Sequence, residues 1–178
     1  VEEVASAEEP LARTTVRFAD GAMDAARRVA LHVTGGADLV LDPTLDEGEV
    51  VLVTGASRGI GYQAALEAAR RGAHVIAVAR TVGGLEDLDD EIKAAGGEAT
   101  LVPLDLRDGD GIDRLGKAIY DRWGQLDGLV GNAGVLGTIT PLAHLDVKDF
   151  DNAFAVNVAA NYRLIRSMDL LLRKAPAA

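Results

Sequence analysis

The chain has 178 residues, 48% hydrophobic and 26% charged, with a formal net charge of −10, which suits one soluble domain with a real core. That acidity excludes the basic face of a general nucleic-acid binder, while leaving room for a local cationic pocket. There is no cysteine, so disulfides, thiolate metal sites and a cysteine nucleophile are excluded, and His32, His74 and His144 lie too far apart in sequence to suggest a metal.

Residues 1–48 carry ten acidic and four basic side chains. Residues 1–10 read as an arm, 14–18 as a short strand, 23–33 as a helix and 37–41 as another strand. Asp20 or Gly21 stands near the start of that helix, and Gly35-Gly36 follows its end. Asp42-Pro43-Thr44 and Asp46-Glu47-Gly48 are turn chemistry. This extra N-terminal α/β segment holds no motif that converts into chemistry, and it reads as an acidic packing appendage or interaction arm. Its acidic start resembles neither a signal peptide nor an arginine-rich transit peptide. No apolar run approaches the ~18 residues of a membrane span. The expectation is therefore no membrane association and a cytoplasmic location.

From residue 49 onward, short apolar runs alternate with amphipathic ones. Residues 50–53 form a fully apolar run, as in a buried parallel strand. Residues 54–61 are a glycine-rich turn and 60–71 a helix ended by Gly72. A second strand spans 74–79. A helix over 85–95 is closed by Gly96-Gly97, and a third strand spans 100–104. A helix over 111–123 is closed by Gly124, and a fourth strand spans 126–130. A long helix over 149–173 is broken near Asn157. This rhythm predicts a parallel sheet covered on both faces. Right-handed crossovers make it the first half of a doubly wound sheet, strand order 3-2-1-4.

The turn reads Thr54-Gly55-Ala56-Ser57-Arg58-Gly59-Ile60-Gly61. Gly55 permits a tight turn, and Gly59 and Gly61 let backbone and helix approach a pyrophosphate. The following helix start then offers free N–H groups and a positive dipole to the anion. Gly55, Ser57, Arg58, Gly59, Ile60 and Gly61 are the candidate contacts here. The second strand ends in Arg80, not in the acid that would hold a ribose 2′-hydroxyl. Arg80 can offer a planar fork to a 2′-phosphate, with Arg58 approaching from the turn.

The spacing Gly55-x-x-x-Gly59-x-Gly61 resembles the glycine turn of the short-chain dehydrogenase/reductase family. Three further marks stand at that family's distances: Asp105 in Pro-Leu-Asp-Leu-Arg-Asp, Asn132-Ala133-Gly134, and Asn157 in Ala-Val-Asn-Val. The resemblance covers residues 49–178, roughly the first half of a typical member, and implies a Rossmann-like dinucleotide-binding domain. It implies that Asp105 and Leu106 meet the adenine end. It places Asn132, Ala133 and Gly134 beside the nicotinamide ribose, with the Asn132 side chain tying strands together. It makes Asn157 the helix member of the catalytic tetrad, where a break in the helix exposes a backbone carbonyl to a water. Taken alone, Asp105 would read as a turn cap and Asn157 as a helix irregularity. Basic residues at positions 58 and 80 look, in this family, like preference for NADP over NAD.

The resemblance further implies a hydride transfer between nicotinamide and a carbonyl or secondary alcohol, in a dimer or tetramer. The family's catalytic Ser and Tyr-x-x-x-Lys would fall beyond Ala178. Tyr62, Tyr120 and Tyr162 do not fit that role, and Arg166 stands where a Lys would follow Tyr162. The expectation is that the protein continues past this sequence or that another chain completes it. A binding-only role, as a redox sensor or scaffold subunit, is the alternative.

Overall fold

The computed structural model describes residues 48–175. The elements expected within residues 1–47 lie outside the described residues. The described elements are β1 (Val50–Thr54), α1 (Gly59–Arg70), β2 (His74–Ala79), α2 (Val82–Ala94), β3 (Ala99–Pro103), α3 (Gly109–Trp123) and β4 (Gly128–Val130). A 3-10 turn, Leu142–His144, leads to α4 (Val147–Phe154), a π turn (Ala155–Ala159) and α5 (Ala160–Leu172).

The strands run parallel in the order β3-β2-β1-β4. This is the expected α/β, doubly wound arrangement. Successive side chains of a strand point to opposite faces, and the two cores follow that alternation. Val51, Val53, Val75 and Ala77 meet α1 and α2 on one face. Val50, Leu52, Ile76 and Val78 meet α3 and α5 on the other. In α1 the buried face is built from Ala64, Ala65, Ala68 and Ala69 with Leu66, small residues that bring the helix close to the sheet. On the opposite side, Gly116 of α3 lies so near α5 that a Cβ there would stand 3.1 Å from the Ser167 carbonyl oxygen.

Capping sets the start and end of α3. The Asp108 carboxylate accepts the Gly111 N–H at 2.9 Å, and Gly124 takes the left-handed conformation past the last turn, at φ 74°.

Element ends shift by one to three residues from the sequence reading, and two of the shifts have a visible cause. Helix α2 starts at Val82, three residues before the apolar period, because Gly83-Gly84 is helical here. Strand β4 begins at Gly128, since the Leu126 N–H turns to the Leu171 carbonyl. The long final helix is three pieces, with the π turn centred on Asn157.

Candidate functional site

One edge of the sheet gathers the candidates. Gly55 follows β1, Arg80 follows β2, Asp105 lies just past β3 and Asn132 just past β4. In the order β3-β2-β1-β4 these positions stand in a row, at steps of about 5 Å set by strand spacing.

At the β1 end the chain turns through Gly55 at φ +67° and Gly59 at φ +62°, a region that residues with a Cβ rarely adopt. Arg58 precedes α1 in extended conformation, without a side-chain cap, and no acidic residue occupies the first turn of α1. The early N–H groups of α1 therefore keep their capacity for an anion. A Cβ on Gly59 would meet nothing within 4 Å, whereas one on Gly61 would stand 2.3 Å from Asn132 Nδ2 and 2.5 Å from the Gly55 oxygen. Gly59 thus lies on the open side of the turn and Gly61 on its packed side.

Thr54 and Asn132 join the β1 and β4 ends. Buried Thr54 donates its hydroxyl to the Val130 carbonyl at 3.2 Å. The same oxygen accepts the N–H groups of Asn132 and Ala133 at 3.0 and 3.1 Å. Asn132 Nδ2 donates to the Thr54 carbonyl at 3.0 Å. Beyond this turn the Asn157 side chain closes on Val135: Oδ1 accepts the Val135 N–H and Nδ2 donates to the Val135 carbonyl, each at 2.9 Å. Asn161 Nδ2 donates to the Asn157 carbonyl at 2.8 Å. That carbonyl, expected to be exposed by a helix break, thus already has a protein donor.

Gly55, Ser57, Arg58, Gly59, Ile60, Arg80, Asp105, Leu106, Asn132, Ala133 and Gly134 line a single cleft of about 550 Å³. Gly61 packs beneath its floor, and Asn157 acts on it through Val135, which is in the wall. Sequence reasoning missed Thr81, Leu104, Val135 and Val156 of the lining. It also missed Thr54, whose signal was a lone hydroxyl ending an apolar strand. No tyrosine lines the cleft.

Charge is unevenly arranged around it. Arg107 donates to both oxygens of Asp105 through Nε, at 3.0 and 3.1 Å. This pairing brings the Asp105 carboxyl down to about 2, against the opposing effect of its partial burial. Arg58 and Arg80 are exposed and make no hydrogen bond or ion pair among the described residues. An open cradle of helix N–H groups with two exposed guanidinium groups beside it can receive phosphate groups.

Residues 49–176 match the short chain dehydrogenase family. The chain belongs to that family. A fatty acyl-CoA reductase of Acinetobacter baylyi is 37% identical over 125 residues, covering 68% of this chain and 42% of the relative. A sepiapterin reductase of Chlorobaculum tepidum is 33% identical, covering 70% and 54%. Among solved structures, a metagenomic short-chain oxidoreductase in complex with NADP is 39% identical at a TM-score of 0.68, covering 71% of this chain and 57% of that one. A short chain dehydrogenase from Shigella flexneri is 32% identical at 0.67, covering 72% and 51%. The chain spans about half the length of the relatives it matches. As in these dehydrogenases, its sheet and cleft belong to the Rossmann-like α/β class.

Proposed function

We propose that this short-chain dehydrogenase chain is the NADP-binding part of an oxidoreductase acting on a carbonyl or secondary alcohol. The observation that carries the reading is the pair Arg58 and Arg80, exposed and without ion-pair partners among the described residues, at the mouth of the glycine turn. The row of strand ends supports an order for the ligand. The diphosphate would lie on the α1 start at the β1 end. The 2′-phosphate would lie one step away, at Arg80 and Arg58. The adenine would lie a further step on, between Leu104, Leu106 and Asp105. The nicotinamide ribose would lie the other way, at Asn132, Ala133 and Gly134.

When bound, the dinucleotide supplies or accepts a hydride at its nicotinamide ring. The chain's own residues bind and orient it. Gly55, Ser57, Gly59, Ile60 and Gly61 present backbone to the phosphates. Asn132 fixes the far wall by holding Thr54, and Asn157 holds the Val135 segment where the ring would lie. Tyr62, Tyr120 and Tyr162 are absent from the cleft lining, so proton transfer in this reading falls to a group outside the described residues. The small-molecule substrate, homo-oligomeric assembly and a cytoplasmic location belong to the same proposal.

The solved short-chain oxidoreductase in complex with NADP, 39% identical to this chain, adds support. The test is calorimetric titration with NADPH and NADH, on wild type and Arg80→Ala. NADPH is expected to bind more tightly. Arg80→Ala is expected to weaken NADPH more than NADH, by about 1–3 kcal/mol for a lost charge-assisted contact. Equal losses for both would overturn the NADP assignment. Failure of both dinucleotides to bind would overturn the whole reading.

A further inference from the structure

Asp105 stands in the cleft wall, but its carboxylate is already engaged. Arg107 donates its backbone N–H to Oδ1 at 3.0 Å and Nε to both oxygens at 3.0 and 3.1 Å. It adds Nη2 to Oδ2 at 2.5 Å. An ionised carboxylate offers about four acceptor positions, so these donors fill it. The remaining guanidinium nitrogen, Nη1, reaches Asn152 Oδ1 on α4 at 3.2 Å. Arg107 is therefore held from two sides, by the cleft wall and by the helix leading to the π turn. The apolar side chains next to Asp105, Leu104 and Leu106, also line the cleft, and a flat base fits between such surfaces.

We propose that Arg107 is a specificity-determining residue, competing with the bound base for Asp105 and so suppressing discrimination between bases with and without an exocyclic amino group. This rests on the reading that the cleft takes an adenine dinucleotide. The 6-amino group of adenine is a donor suited to a carboxylate, and hypoxanthine carries an acceptor oxygen at that place. While Arg107 saturates Asp105, neither base gains or loses much there. With Arg107 removed, Asp105 becomes a free carboxylate that accepts from adenine and repels the hypoxanthine oxygen. The pair is half exposed, with side-chain exposures of 50% for Arg107 and 35% for Asp105. Its loss is therefore expected to leave the fold intact.

The experiment measures dissociation constants for NADPH and its hypoxanthine analogue, in wild type, Arg107→Ala and the double variant Asp105→Asn, Arg107→Ala. Wild type is expected to discriminate by less than about threefold, and Arg107→Ala by about tenfold or more, the scale of one hydrogen bond to a charged group. The double variant is expected to return near the wild-type ratio, because the amide can turn to suit either base. An unchanged ratio in Arg107→Ala, with NADPH still bound by wild type, overturns this inference alone. A wild-type ratio of about tenfold that falls in Arg107→Ala overturns it too, since Arg107 would then present Asp105 to the base. If wild type binds neither nucleotide, the cofactor reading fails and this inference fails with it.

Discussion

Asn132 donates twice to Thr54, its backbone N–H to the hydroxyl oxygen and its side-chain Nδ2 to the carbonyl, both at 3.0 Å. The Thr54 hydroxyl is fully buried and serves two further bonds, to Val130 and Ala133. One hydroxyl thus satisfies three backbone groups where β1 and β4 separate.

Replacing it by a methyl tests that arrangement. Thr54→Val keeps the shape, takes the acceptor from the Ala133 N–H and leaves the Asn132 N–H with the Val130 carbonyl alone. The expected loss is about 2–3 kcal/mol of unfolding free energy, measured by urea denaturation. Thr54→Ser should recover most of it. A Val variant as stable as wild type would show that the hydroxyl is dispensable.

Two glycines make a matched pair. Gly61→Ala pushes a methyl into Asn132 Nδ2 and the Gly55 oxygen and should destabilise by about 1–3 kcal/mol, as overpacking does. Gly83 is exposed in the first turn of α2 and a Cβ there meets nothing within 4 Å. Gly83→Ala should be neutral or stabilising by up to about 1 kcal/mol. Thermal melts of the two variants should move in opposite directions, or only the first should move.

The clasp of Asn157 on Val135 predicts a local readout. Asn157→Leu removes both side-chain partners of the Val135 backbone, at a cost of about 1–3 kcal/mol. Hydrogen exchange at the Val135 amide should accelerate, while the amides of β2 should be protected as before. Uniform acceleration across the sheet would argue against a local role.

Asp105 gives a pH signature. Its carboxyl is lowered from 3.8 to about 2, chiefly by the Arg107 side-chain hydrogen bonds. A depressed folded-state value means that the unfolded chain binds its proton first as pH falls. The stabilising contribution is thus complete above about pH 4 and disappears between pH 4 and pH 2. Carbon-detected NMR should show the Asp105 carboxyl titrating near 2 in wild type and upward of that in Arg107→Ala. The acid-unfolding curve of the variant should be shallower across the same window. A carboxyl that titrates at its ordinary value in wild type would remove the Arg107 pairing from solution.

The strand order was legible because Val50–Val53 and Val75–Ala79 are too apolar to face water on either side, and helices between parallel strands leave few topologies. The glycine turn was legible because Gly55, Gly59 and Gly61 stand where backbone geometry needs them. Other features depend on contacts distant in sequence. Nothing near Thr54 announces that its partner is Asn132. Gly83-Gly84 adds nothing to the apolar period of α2, and only the fold shows Gly84 against Ser57, where a Cβ would come within 2.6 Å of its carbonyl oxygen. The π turn at Asn157 follows from the amide reaching Val135, a pairing across 22 positions. Asp105 was legible as a cleft residue, but its engagement by Arg107, two positions on, was not.

The β1–β4 pairing covers only three residue pairs, from Val51 and Gly128 to Val53 and Val130, too few for the ladder alone to fix its alignment. Two buried polar side chains sit at its extremities. Asp127 receives the Val50 N–H at 2.8 Å at one end, and Thr54 collects its partners at the other. Sliding β4 by one residue would break both sets of bonds and turn the faces of β4 inside out. The two ends act like pins through a short hinge plate: side-chain chemistry, more than strand length, sets the register, and with it the width of the opening above.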